Sequence, residues 1–212
     1  MYSRARLLVG WVLLLPLLIG CSQVREANES LQTVSAATRA VNQAEASLTR
    51  TEQLRQTRAA SGDTISLPYQ ELRNYLPHKL AGFVRDGAPQ GESVSLGGVN
   101  YSTCEQYYRK GKQRLKVQLV DYNGASALYA GATAMMAAGF TQEDDEQLMR
   151  GCDLGIPNVL GYETLQKKEG RASVALGVGD RFFLSVELDQ QQTTHTVRNV
   201  AKAIDLQTLA RL

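Results

Sequence analysis

The strictest constraint on this chain is the stretch from Ala172 to Leu188, where Ala172, Val174, Leu176, Phe182, Leu184, Val186 and Leu188 are apolar on either side of a Gly179-Asp180 pair. Alternation with period two puts these side chains on one face of a pair of strands, and a Gly-Asp pair between two such runs reads as a tight hairpin turn. A hairpin with one apolar face has to bury it under further strands or helices, so the rest of the chain must supply them.

It does so in order. Tyr101 to Arg109, a turn at Gly111, and the alternation of Leu115, Val117 and Leu119 with Lys116 and Gln118 predict a second hairpin. Val159 to Lys167 predicts another strand, and Glu146 to Cys152 a shorter one. Helices are predicted from Leu67 to Leu76, with Pro68 in the first turn and Pro77 at the end, from Ala125 to Ala138 before Gly139, and from Thr194 to Ile204. One more helical turn follows, capped by Asp205 near Thr208. Gly111 to Asp121 and Gly179 to Asp189 echo each other as turn, arginine, alternating strand and aspartate. The expected class is α+β, a mostly antiparallel sheet with packed helices, in a head spanning residues 62–212. In the order of its hairpins and helices this head is similar to the sandwiches of the PsbP and Mog1-like group, which implies a sheet with helices packed on it.

Ahead of the head, residues 22–61 contain no proline, glycine or aromatic residue and are rich in Ala, Gln, Glu and Arg, which predicts an N-terminal helical extension. Ala27, Val34, Val41 and Leu48 recur every seven residues, with Val24 and Leu31 in a companion position that Thr38 and Glu45 interrupt. A continuous helix over this segment would span about 60 Å, whereas a lone helix with so thin a seam has little to bury and a tether is the competing expectation.

The first twenty residues read differently. Arg4 and Arg6 precede an apolar run from Leu7 to Ile19, too short for an ordinary membrane-spanning helix, which needs about 20 apolar residues. Leu18-Ile19-Gly20-Cys21 resembles the lipobox of bacterial lipoproteins. That resemblance implies a signal peptide over residues 1–20, lipidation of Cys21, and a membrane partner reached through its acyl chains rather than by spanning. Ser22, being no aspartate, implies the outer membrane, facing the periplasm, for a Gram-negative source. Without Arg4 and Arg6 the chain carries as many basic as acidic residues, so the basic excess of a nucleic-acid binder is missing and no nucleic-acid partner is expected.

The sequence offers little chemistry. His78 follows Pro77 in a turn and His195 starts the last long helix, so both are expected at the surface. No HExxH, CxxC, GxSxG or GxxxxGK[ST] occurs, and Gly177-Val178-Gly179-Asp180 lacks the helix that a nucleotide loop needs. Glu143-Asp144-Asp145-Glu146 has neither the spacing nor the glycine of a calcium loop. Arg109, Lys110, Lys112 and Arg114 crowd one hairpin tip. No enzyme activity, cofactor or metal is expected.

Two features remain. The helix Ala125–Ala138 has no charged residue on any face, so it is either a core helix or one whose far side is covered by a partner; Leu128, Tyr129, Met135 and Met136 are the candidate partner-binding residues. Cys104 and Cys152, the two thiols left once Cys21 is acylated, are a candidate disulfide in an oxidising compartment, with two separate buried thiols as the alternative. The functional expectation is an envelope lipoprotein that binds another envelope protein or serves an assembly, with a small-ligand carrier using a pocket between sheet and helix as the rival.

Overall fold

The hairpin that most constrains the sequence sits inside the sheet. In a computed structural model, which describes residues 42, 45, 46, 49–134, 136 and 141–212, strands β9 (Arg171–Val178) and β10 (Phe182–Leu188) pair with Leu184 opposite Leu176 and Val186 opposite Val174. The turn holds both Gly179 and Asp180 at positive φ, 63° and 53°, and Arg181 completes a three-residue loop between the paired Val178 and Phe182. Gly179 is needed twice over, because a Cβ there would come 3.0 Å from the Ala210 backbone. All seven alternating residues are fully buried, and each large one contributes about 1.5–3 kcal/mol of apolar burial.

The second hairpin, β4 (Val99–Lys110) and β5 (Gln113–Gly124), joins the first through β5 and β10, with Leu119 opposite Leu184 and Leu115 opposite Leu188. The two echoing segments are therefore antiparallel neighbours at the middle of the sheet. Strands β8 (Val159–Gln166), β7 (Gln147–Cys152) and β6 (Thr141–Glu143) extend it beyond β9, and β1 (Lys79–Leu80) and β2 (Phe83–Arg85) beyond β4. β3 (Gln90–Leu96) also pairs with β4, next to the register of β2, and every pairing is antiparallel.

The structure is mostly sheet, and the helices of the head stand where the sequence predicts them but are shorter. Pro68 leads into α2 (Tyr69–Leu72), continued by a 3-10 turn, Arg73–Tyr75. The uncharged helix is α3 (Ser126–Thr133), shorter than Ala125–Ala138, with residues 135 and 137–140 outside the described ones. α4 (His195–Lys202) and α5 (Leu206–Leu209) close the chain, and the Asp205 carboxylate accepts from the Thr208 amide at 3.0 Å as its cap. Leu72 of α2, Val197, Val200 and Ala201 of α4, and Leu206 and Leu209 of α5 pack on the apolar sheet face. This is the core.

Residues 49–60 form a helix, α1, and residues 42, 45 and 46 are helical too. All described residues belong to one compact unit, Arg39–Leu212, so α1 lies in the same unit as the sheet. Cys21 and the remainder of the 22–61 extension lie outside the described residues. Hydrogen bonds hold α1 across one end of the sheet: Thr51 donates to Asp180 at 3.1 Å, and Arg58 to the Asn123 side chain at 2.8 Å and the Asp180 carbonyl at 3.3 Å.

Candidate functional site

α3 rests on the sheet face opposite the core, and its spacing decides what it shows to solvent. Tyr129, Thr133 and Met136 stand at i, i+4 and i+7, one helical face, and all three meet Gly177. A Cβ on Gly177 would come 2.7 Å from the Tyr129 hydroxyl oxygen, 3.1 Å from Thr133 Cγ2 and 3.3 Å from Met136 Sδ, so glycine is what lets the helix lie this close. Tyr129 and Met136 are buried there, and burial pushes the Tyr129 phenol far above its ordinary value.

The other side of α3 is open. Ala127, Leu128, Gly131 and Ala134 are exposed, Leu128 by 48%. Among its described residues α3 buries one face, whereas a core helix would be covered on more than one side. Of the four predicted partner-binding residues, Leu128 faces solvent, Tyr129 and Met136 face the sheet, and Met135 lies outside the described residues. Leu160, missed in the sequence because it alternates with core residues, is 57% exposed and stands opposite Gly177 on β8, on the face that carries α3. Tyr101 and Tyr122 extend the apolar ground toward β4, with Tyr122 edge-on to Tyr129 at 6.4 Å and Tyr101 tilted on Tyr122 at 6.1 Å.

Cys104 and Cys152 are separate buried thiols, and the candidate disulfide is not formed. The register explains why. Cys104 stands opposite Leu119, Leu119 opposite Leu184, Leu184 opposite Leu176, Leu176 opposite Gly161, and Gly161 opposite Cys152. They share one row of the sheet with four strands between them, a path of about 24 Å along the sheet at roughly 4.8 Å per strand, whereas a bridge needs Cα atoms about 4.4–6.8 Å apart. Burial raises both thiols above their ordinary value.

Two polar centres were not legible in the sequence. Arg181, 3% exposed, forms a two-point pair with the fully buried Asp121: Nε to Oδ1 at 2.9 Å and Nη2 to Oδ2 at 2.8 Å. Its Nη1 also donates to Asp63 and to the Leu212 carbonyl, so both ends of the head are fastened to one guanidinium. On the core face Glu163 lies between Arg150, at 2.5 Å, and Arg198, at 3.5 Å, which ties α4 to β7 and β8. Neither centre contains a nucleophile, and both read as structural clamps.

The other candidates are surface features. His78 and His195 are exposed. In the acidic run, Asp144 accepts from the Glu146 and Gln147 amides, which shapes a turn. At the basic tip Arg109 pairs with Asp86 at 2.9 Å and Arg114 stacks 3.9 Å over Tyr107, leaving Lys112 to solvent. A cleft of about 390 Å³ between β6, β8 and the loop after β10 is lined by Glu143, Leu148, Leu165, Lys167, Gln191 and Gln192. Among the described residues no group of three or more His, Cys, Asp or Glu is placed to hold a metal ion, and no helix is long and apolar enough to cross a membrane. No family model matches the sequence, and no significant match was found among curated proteins or solved structures.

Proposed function

We propose that this chain is a lipoprotein of the bacterial envelope, anchored through acyl chains on Cys21, whose α+β head binds another envelope protein through the open face of α3. The observation that carries the reading is the exposed row Ala127, Leu128, Gly131 and Ala134, in a stretch from Tyr122 to Gln142 without one charged residue. Among the described residues, α3 meets Gly177 of the sheet through Tyr129, Thr133 and Met136, not through this row. An uncharged exposed helix face beside Leu160 is what a protein interface would use, with small residues admitting a close approach. The basic n-region, short apolar run and Cys21 motif support the address, the outer membrane facing the periplasm for a Gram-negative source.

The rival carrier would need room between sheet and helices. There Val197, Val200, Leu206 and Leu209 are already buried against Leu176 and Leu184, which favours the protein-binding reading. A photo-crosslinking residue at Leu128 in intact cells tests it, with Lys112 at the opposite end of β5 as reference. One reproducible protein adduct from position 128, absent from 112, is expected. Recovery of the free monomer alone from position 128 would overturn the interface.

A further inference from the structure

The exposed apolar side chains of the head are not spread evenly. The sheet has two ends. At one lie the β4–β5 turn with Lys110 and Lys112, the β8–β9 turn with Lys167, Lys168 and Glu169, and the β6–β7 turn with Asp144, Asp145 and Glu146. All of these turns are charged and exposed. At the other end lie the β3–β4 and β9–β10 turns and the β7–β8 loop, in which Asp153 is exposed. The β9–β10 turn is covered by α1, whose Arg50 reaches Asp180 at 3.3 Å. The β3–β4 turn is exposed: Leu96 by 77%, Gly97, Gly98, and Val99 by 41%.

This tip has the opposite character from the turns at the far end. From Ser93 to Cys104 there is no charged residue. Gly97 and Gly98, at φ 58° and 83°, make a two-residue turn directly beyond Leu96 and Val99, the last pair of the β3–β4 ladder. Two residues further along β4, on the face shared with Val99, is the half-buried Tyr101. Two aliphatic side chains at an uncharged apex with a tyrosine behind them fit the interfacial layer of a bilayer, where apolar side chains sink about 5–10 Å and tyrosine sits at the headgroups. α1, through which the chain from Cys21 reaches the head, crosses this same end.

We infer that the β3–β4 tip, with Leu96 and Val99, is a lipid-contacting element that seats this end of the head on the membrane to which Cys21 is anchored. The inference rests on the lipid anchor proposed above. A patch this small would bind lipid weakly by itself, and the anchor makes it effective by keeping the bilayer at high local concentration. The charged turns then face away from the membrane.

The test uses the full acylated chain in vesicles of phosphatidylethanolamine and phosphatidylglycerol, some of the lipid carrying nitroxide. An environment-sensitive fluorophore is placed on Leu96→Cys or, as reference, on Lys112→Cys; the native Cys104 and Cys152 are buried with raised pKa and stay unlabelled in the folded protein. Flotation with the vesicles reports the anchor separately. The expected result is flotation of both proteins, with blue-shifted emission and severalfold stronger quenching at position 96 than at 112. Flotation with water-like, unquenched emission at 96 overturns the lipid contact and leaves the anchor standing, and failure to float overturns both. A tip that is aqueous on vesicles but crosslinks to one protein in cells also overturns it, in favour of a protein contact.

Discussion

Replacing Asp121 with asparagine removes one charge and almost no volume, which makes it the sharpest probe of how the head is held together. The carboxylate is fully buried and each oxygen faces two donors: Oδ1 accepts from Arg181 Nε and the Asn123 amide, both at 2.9 Å, and Oδ2 from Arg181 Nη2 and the Leu67 amide, both at 2.8 Å. Whichever oxygen becomes NH2, a donor meets two donors. The guanidinium, 3% exposed, is left with the partly exposed Asp63 as its remaining carboxylate partner. Breaking a buried pair from one side costs about 3–5 kcal/mol, a large share of the roughly 5–15 kcal/mol that stabilises a domain. At about 2–4 °C per kcal/mol for a unit of this size, Asp121→Asn should lower the melting temperature by roughly 10 °C. Near-ultraviolet circular dichroism of the tyrosines follows the transition. Asp121→Leu combined with Arg181→Met should recover most of the loss, because removing both charges also removes the desolvation penalty. Melting of Asp121→Asn within a degree or two of the parent protein would refute the clamp.

Further outcomes follow from other contacts. Gly177→Ala should destabilise by about 1–3 kcal/mol by driving a methyl group into Tyr129, Thr133 and Met136, whereas Gly131→Ala on the open side of the same helix should stabilise by up to about 1 kcal/mol; equal effects in thermal melts would misplace α3. Thiol titration of the native protein at pH 8 should find neither Cys104 nor Cys152 reactive, since burial holds both thiols protonated above their ordinary range, and denaturation without reductant should release two. Zero thiols after denaturation would restore the bond. Glu163→Gln should cost about 1–3 kcal/mol in urea unfolding by weakening the pairs to Arg150 and Arg198; an unchanged midpoint would remove α4 from that clamp.

What could be read from the sequence follows from which faces are buried. β9, β10 and β5 were legible because their alternate residues face a core, and the echo between them proved to be two adjacent strands. β3 was not, since Gln90-Gly91-Glu92-Ser93-Val94-Ser95-Leu96 buries no residue fully and exists by pairing with β4. α3 was located to within a residue at its start, but lack of charge does not say which side is covered. That was decided by Gly177, which is read as strand filler until the helix is seen above it. Counting two thiols in an oxidising compartment carries no information about strand order, which is what separates Cys104 from Cys152. The Asp121–Arg181 clamp joins residues sixty positions apart, and no local pattern marks it.

The proposed envelope partner at α3 and the proposed seating of the β3–β4 tip both rest on the proposed lipid anchor, which is tested most directly by the mass of the N-terminal peptide of the protein isolated from its native membranes. The peptide is expected to begin at Cys21 and to carry a diacylglyceryl group on the thiol, with Cys21→Ala accumulating as the uncleaved precursor from Met1. A native peptide beginning elsewhere, or beginning at Cys21 with an unmodified thiol, would contradict the lipoprotein assignment.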